Sequence, residues 1–366
     1  MEASLGPLLP LFERERAAGR ALALGVLVHT SGSTYRKPGA LILIAASGEY
    51  AGLISGGCLE GDLGEHARAV IAAGKAARVL YDMRTSGDLV WGLGLGCEGA
   101  MQILLLHAGP ANDWQPLRHL AAAHAAHAAT AVGVVVESVD GDVPLGSVLL
   151  PEAGWAAPGP HAPASAALKA ALAPASAAGQ AWLQEDGLKL FVLPLWLPPR
   201  IVLLGAGPDA APVVDFAARL HWRVTLVDHR PAYAVAAHFA AAEQVLLARP
   251  EELAVRLDLN RFAAAVVMSH HLPSDLEYLR VLAASAVPFV GLLGPQVRRE
   301  RLLADLGGAA QALLPRLHAP VGLPLGGRTP ESIALSIVAQ LHAYVHGPLP
   351  QQRPVPFVAE LSRQHA

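Results

Sequence analysis

Six short apolar runs, separated by stretches of helical spacing, occupy residues 200–347, and no other feature restricts the fold as much. The runs are Ile201–Leu204, Val224–Asp228, Gln244–Leu247, Ala264–Ser269, Phe289–Leu293 and a weaker Leu317–Leu323. Continuous apolar strands alternating with helices require a parallel sheet covered on both faces. The last helix carries its own start signal, with Thr329 as N-cap, Pro330 in the first turn and Glu331 behind it. Ile333, Ile337, Leu341 and Tyr344 then recur at helical spacing. These signals predict a Rossmann-like, doubly wound parallel-sheet domain over residues 198–347, followed by a tail at 348–366.

The first of these strands leads into Gly205-Ala206-Gly207-Pro208-Asp209-Ala210, and Asp228 follows 21 positions after Gly207. Strand, glycine turn, helix and acid stand where a dinucleotide site needs them. Two residues oppose that reading. Pro208 removes one amide donor at a helix start, and Asp209 puts a negative charge where phosphates would lie. Arg230 can offset that charge or accept a 2′-phosphate, or it is a solvated loop cation. His270, in Ser269-His270-His271, falls at the carboxyl edge of the fourth strand, where open α/β sheets bind ligands. Gly205, Gly207, Asp228, Arg230 and His270 are therefore candidate nucleotide contacts, with NAD(P) as one candidate ligand.

Residues 1–197 read as a mixed α+β domain. A helix is expected over residues 7–19, then strands at Ala21–Thr30, Leu41–Ser47 and Tyr50–Ser55 forming a β-meander, and a helix from Leu59 to Ala73. Strands at Ala77–Asp82 and Met101–His107 follow. Beyond a helix at 115–128, strands are expected at Ala131–Ser138 and Val143–Leu149, and a hairpin turns through Asp186-Gly187. Pro151–Gln180 is dominated by Ala and Pro and reads as an insert or loosely packed helical segment. Pro198 and Pro199 mark the domain boundary.

Thr30 to Asp62 concentrates the unusual chemistry of this half: two glycine-rich turns, the triplet Tyr35-Arg36-Lys37, and Cys58. Cys97 repeats the context of Cys58, flanked by glycines in WGLGLGCEGA. Glycine amides beside a guanidinium suit an anionic tail, and a thiolate suits a soft metal or sulfur transfer. The alternatives are ordinary β-turns and buried structural cysteines. Glu60 and Asp62, in the first turn of the following helix, complement its dipole in either case.

Composition narrows the function classes. Two cysteines in 366 residues provide no disulfide framework and suit a reducing compartment, and without clustered histidines they fall short of a zinc site. A net charge of −3 without a basic stripe argues against nucleic acid. The N-terminus has no basic segment followed by an apolar core, and His119–Val136 changes from helical to β-branched character midway. No membrane association and a cytoplasmic location are expected.

Taken together, the motifs resemble the XdhC/CoxI proteins, accessory factors for bacterial molybdenum hydroxylases such as xanthine dehydrogenase. GSTYRKPGA, ISGGCLEGD and WGLGLGCEG are similar to the family's CoxI-type module, and GAGPDA, VTLVDHRPAY, SHHLPSD, FVGLLGP and GLPLGGRTPESIA to its Rossmann module. The resemblance implies a chaperone that binds the molybdenum cofactor, as molybdopterin or its dinucleotide form. It would protect the cofactor during sulfuration by a cysteine desulfurase and pass it to the apo-hydroxylase. By analogy with the family, the chain would be a homodimer. The implied cofactor contacts are Gly32, Ser33, Tyr35, Arg36, Ser55, Gly56, Gly57, Cys58, Glu60 and Cys97, with Cys58 and Cys97 at the molybdenum or sulfur end. Glu98 stands where many members have Gly, and GLPLGGRTP departs from the usual GLDIGA, which bears on the cofactor form handled. Two rivals are an NAD(P)-dependent oxidoreductase and a nucleotide-sensing regulatory partner of the hydroxylase. Against the first, no Lys–Tyr or His–Asp proton-transfer pair is evident near a nicotinamide position.

Overall fold

The computed structural model describes residues 4–83, 99–156, 164–173 and 182–347. The chain divides into two compact units, residues 1–197 and 198–366.

The first unit opens with α1 (Leu9–Ala17), followed by β1 (Leu22–Gly32), β2 (Leu41–Ala45), β3 (Tyr50–Gly52), α2 (Glu60–Ala73), β4 (Ala77–Asp82) and β5 (Gly99–Ala108). These strands form an antiparallel sheet in the order β3-β2-β1-β5-β4. The expected meander is therefore present, but β1 also pairs along its length with β5, far away in sequence. The chain continues through α3 (Leu117–Ala126), β6 (Ala131–Ser138), β7 (Val148–Leu150), β8 (Gly154–Trp155), α4 (Ala166–Ala171), β9 (Trp182–Glu185) and β10 (Leu188–Pro194). A second antiparallel sheet results, ordered β8-β7-β6-β10-β9.

The two sheets share one core. Leu22, Leu24, Val26 and Val28 of β1 pack with Val132, Val134, Val136, Phe191 and Leu193 of the second sheet. Ala23 and Leu27, on the opposite face of β1, meet Leu63, Ala67 and Val70 of α2. Strand side chains alternate between faces, so covering both makes β1 almost wholly apolar. The far face of the second sheet is covered by α4, whose Leu168 is buried and is followed by the buried Leu172. Ser165 caps this helix by accepting from the Leu168 amide at 3.0 Å. The described part of the Ala/Pro-rich segment is thus a packed layer. Its low hydrophobic volume conceals this in the sequence.

The second unit contains β11 (Arg200–Leu204), α5 (Ala210–Arg219), β12 (Arg223–Asp228), β13 (Gln244–Leu247), β14 (Ala264–Val267), α6 (Leu272–Ala283), β15 (Val290–Leu292), α7 (Gln296–Leu306), β16 (Leu317–His318) and α8 (Pro330–His346). All neighbours pair in parallel, in the order β13-β12-β11-β14-β15-β16. This is the expected doubly wound sheet. Leu279 and Leu282 of α6 and Leu302 and Leu306 of α7 pack with Val202, Leu204, Ala265 and Val267. Thr329 caps α8 as expected, accepting from the Ser332 amide at 3.2 Å. Strand order reverses between β11 and β14, so the switch-point crevice lies at their carboxyl ends. No described helix is long and apolar enough to cross a membrane.

Candidate functional site

In the first unit the site is built where β1 and β3 end. Gly32 closes β1 opposite Gly99 of β5. A side-chain carbon at Gly99 would lie 2.5 Å from the Ser33 carbonyl oxygen, so only glycine lets β5 pass this turn. Thr34 donates its hydroxyl to the Arg36 carbonyl at 2.9 Å, and Nε of Arg36 donates to the Leu53 carbonyl at 3.2 Å. That bond ties the loop between β1 and β2 to the chain leaving β3. It brings the two glycine-rich motifs side by side.

Ser55 and Glu60 shape the second motif. Oγ of Ser55 accepts from the amides of Gly57 at 3.2 Å and Leu59 at 3.1 Å, and donates to the Glu60 carboxylate. That carboxylate also accepts from the amides of Ile54 (3.3 Å), Ser55 (2.9 Å) and Leu59 (3.2 Å). Burial pushes the Glu60 carboxyl up, but the bonds from Ser55 and the neighbouring amides outweigh it, leaving it below its ordinary value. With both side chains buried, the chain between them arches out and leaves Gly56, Gly57 and Cys58 exposed. Gly57 sits at φ +107°, a conformation that favours glycine. The amides of Gly56 and Cys58 have no acceptor among the described residues. One exposed thiol and two available donors therefore share this loop. Glu60 is an internal scaffold of the loop, since its oxygens are taken up by the loop's own donors.

Gly32, Ser33 and Tyr35 are exposed and Arg36 is half-buried on the adjoining loop. Cys97 lies outside the described residues. Asp62, one turn into α2, accepts from the Tyr81 hydroxyl at 2.7 Å, and burial together with this carboxylate raises the hydroxyl's pKa. Among the described residues no group of three or more His, Cys, Asp and Glu could hold a metal ion.

In the second unit, Gly205 has φ +125°, and a side-chain carbon there would lie 2.5 Å from the backbone of Ser269. The β11–α5 turn and the β14–α6 turn are thus in direct backbone contact. Asp228 is fully buried at this junction. It accepts from the Ala206 amide at 2.8 Å and from the Arg230 amide at 2.9 Å. The Arg230 guanidinium forks onto it through Nε at 2.9 Å and a terminal nitrogen at 2.7 Å. Burial pushes this carboxyl up too, and the bonds from Arg230 and Ala206 bring it below its ordinary value. The carboxylate expected to take a ribose hydroxyl already has protein partners on both oxygens.

His270 lies at φ +59° with Nε2 2.7 Å from Oδ2 of Asp209. Oδ1 of Asp209 would be 2.7 Å from a side-chain carbon on Gly207, so the acid covers the turn that usually admits a pyrophosphate. Sequence reasoning missed Asp275, which is buried, bonds the Ser269 hydroxyl and accepts from Arg298 at 2.5 Å. It also missed Tyr278 and His229. The Tyr278 hydroxyl and Nδ1 of His229 are buried without a hydrogen-bond partner among the described residues. Asp275 and Tyr278, three residues apart, share a face of α6.

A unit of two antiparallel sheets that carries the thiol-bearing glycine loop, followed in the chain by a doubly wound parallel-sheet unit, defines the class of this two-unit protein. Family models agree on which one: the XdhC and CoxI family matches residues 15–82, and the XdhC Rossmann domain matches residues 201–341. The chain is 31% identical over 318 residues to a probable xanthine dehydrogenase subunit of Bacillus subtilis (strain 168), covering 87% of this chain and 91% of that protein. A crystal structure of a xanthine dehydrogenase from Bacillus halodurans superposes with a TM-score of 0.75 at 27% identity, covering 94% of this chain and 98% of the other. An uncharacterized Escherichia coli (strain K12) protein, YqeB, is 28% identical over 168 residues, or 29% of its length. The chain belongs to the XdhC/CoxI family.

Proposed function

We propose that this protein is an accessory factor of a xanthine dehydrogenase-type molybdenum hydroxylase. It binds the molybdopterin-type cofactor, supports its sulfuration and delivers it to the apo-enzyme. The observation that carries this reading is the Ser55–Glu60 scaffold, which fixes an exposed Gly56-Gly57-Cys58 arch beside the Tyr35–Arg36 loop. The arch fits the group: available amides suit its oxyanions, and the Cys58 thiolate is a soft donor matched to molybdenum or sulfur. The cofactor supplies the redox centre of the hydroxylase; this chain's residues bind it, orient it and hold off water. Cys97 serves as the second thiol, and a cysteine desulfurase is the sulfur-donating partner.

Two observations weigh against the oxidoreductase and nucleotide-sensor readings. Asp209 covers the pyrophosphate turn, and Arg230 occupies the ribose-binding acid. Anaerobic purification from cells that make the cofactor tests the proposal. Oxidised extracts of the wild type give pterin fluorescence, and Cys58→Ala and Cys97→Ala lower both bound pterin and hydroxylase maturation. Absence of pterin, with Cys97→Ala still maturing the hydroxylase, refutes both the site and the role.

A further inference from the structure

We propose a two-histidine site for a divalent transition-metal ion at the carboxyl edge of the Rossmann sheet, formed by His229 and His271. His229 follows the last residue of β12, and His271 stands immediately before α6, beyond the end of β14. β12 and β14 flank β11 on either side, so the two rings meet across the end of the strand between them. Their centroids are 5.7 Å apart, with 38° between the ring planes. Two imidazoles on one zinc ion, each bonded at ~2.0–2.1 Å, have ring centres roughly 5 Å apart at the tetrahedral angle. A small rotation of either ring closes the difference.

Each ring is held through one nitrogen and offers the other. Nδ1 of His271 bonds Oγ of Ser274 at 2.8 Å. Nδ1 of His229 is buried without a hydrogen bond and lies 3.6 Å from Oδ1 of the fully buried Asp228. Facing a carboxylate, it is the nitrogen that keeps the proton of a neutral ring, which puts the lone pair on Nε2. Nε2 of neither ring has a hydrogen-bond partner among the described residues. His229 is half-buried and His271 exposed, so the pair is open on one side. An oxygen behind each ring, fixing its orientation, is the arrangement that supports metal-bound histidine. Packing alone explains the ring contact, but not Nδ1 anchors on two separate elements.

The surrounding charge favours a cation. The ion pairs of this rim hold three carboxylates, Asp209, Asp228 and Asp275, against the guanidinium groups of Arg230 and Arg298. No third His, Cys, Asp or Glu completes a metal-holding group among the described residues. Water, or an oxygen of a ligand lying in the switch-point crevice, therefore fills the remaining positions. Imidazole donors select zinc, copper, iron or nickel over magnesium and calcium. The site lies in the second unit and does not rest on the cofactor arch of the first.

Calorimetric titration of the full chain with Ni²⁺, its thiols first alkylated, tests the proposal. The wild type shows one more saturable Ni²⁺ site than the double variant His229→Ala, His271→Ala. Each single replacement removes that site, and Ser274→Ala, which takes away the hydroxyl behind His271, weakens it about tenfold. His221→Asn, which removes an imidazole at the amino end of β12, leaves it unchanged. Ni²⁺ also raises the urea midpoint of the wild type and not that of the double variant, because the ion favours the folded pair. In metal-free buffer the variants keep a cooperative urea transition, which separates loss of binding from loss of fold. Equal Ni²⁺ binding by the wild type and the double variant, or loss of the extra site in His221→Asn as well, overturns the proposal.

Discussion

Asp209 and His270 meet across the mouth of the β11–α5 turn, Oδ2 to Nε2 at 2.7 Å, and together they close the seat where a Rossmann domain usually takes a pyrophosphate. The consequence is a specific gain of function. Asp209→Asn removes the negative charge from that seat and tightens binding of NADPH and ADP about tenfold, or ~1.4 kcal/mol. Fluorescence titration of NADPH measures it; unchanged affinity would mean the carboxylate does not occupy the phosphate position.

Arg230 and Asp228 behave asymmetrically on mutation. Arg230→Ala leaves a fully buried carboxylate without its fork and destabilises the second unit by about 3–5 kcal/mol. The double replacement Asp228→Asn, Arg230→Met costs less than the single one, because no charge is left stranded. Urea midpoints of the full-length variants decide this, and equal losses would contradict the burial argument.

Glu60→Gln replaces a carboxylate that accepts from one hydroxyl and three amides with a carboxamide that keeps one accepting oxygen and puts a donor NH2 in place of the other. About 2 kcal/mol is lost from the first unit, read from its denaturation midpoint. Thiol labelling supplies the functional side of the test. Collapse of the arch changes the rate at which exposed Cys58 reacts, whereas a purely dipolar role for Glu60 would leave it unchanged.

Glu15 supplies a pH dependence. Arg20 forks onto it at 2.7 and 2.8 Å, and that bonding, opposed by burial and assisted by Arg14, lowers its carboxyl from 4.5 to about 2. A depressed folded-state value contributes stability above pH 4.5, lost as the pH falls toward about 2. Denaturation midpoints followed across that window therefore fall for the wild type and fall less for Glu15→Gln. Parallel curves would show that the fork is absent in solution.

The Rossmann unit was largely legible because its strands are local apolar runs bounded by glycine and its helices carry caps, as at Thr329. β14 and β15 are shorter than expected, Ala264–Val267 and Val290–Leu292, because the apolar runs continue past the last residues paired in the sheet. In the first unit the helix over Glu60–Ala73 and the hairpin through Asp186-Gly187 were equally readable. The face-to-face packing of two sheets was not, since β1–β5 pairing and the shared core join residues far apart in sequence. Cys58 was visible as a motif, but the role of Glu60 was not: a first-turn acid looks alike whether it faces solvent or folds back on its loop.

Local periodicity and motifs read along the chain were enough for the order of elements, the parallel sheet of the second unit and the family, because none of these needs a distant contact. The tasks of the motif residues depend on contacts made in three dimensions. The same Asp, Arg and His letters serve a ligand or the protein according to which donors face them. Folding turned Arg230 onto Asp228 and His270 onto Asp209, and left Gly56, Gly57 and Cys58 turned outward.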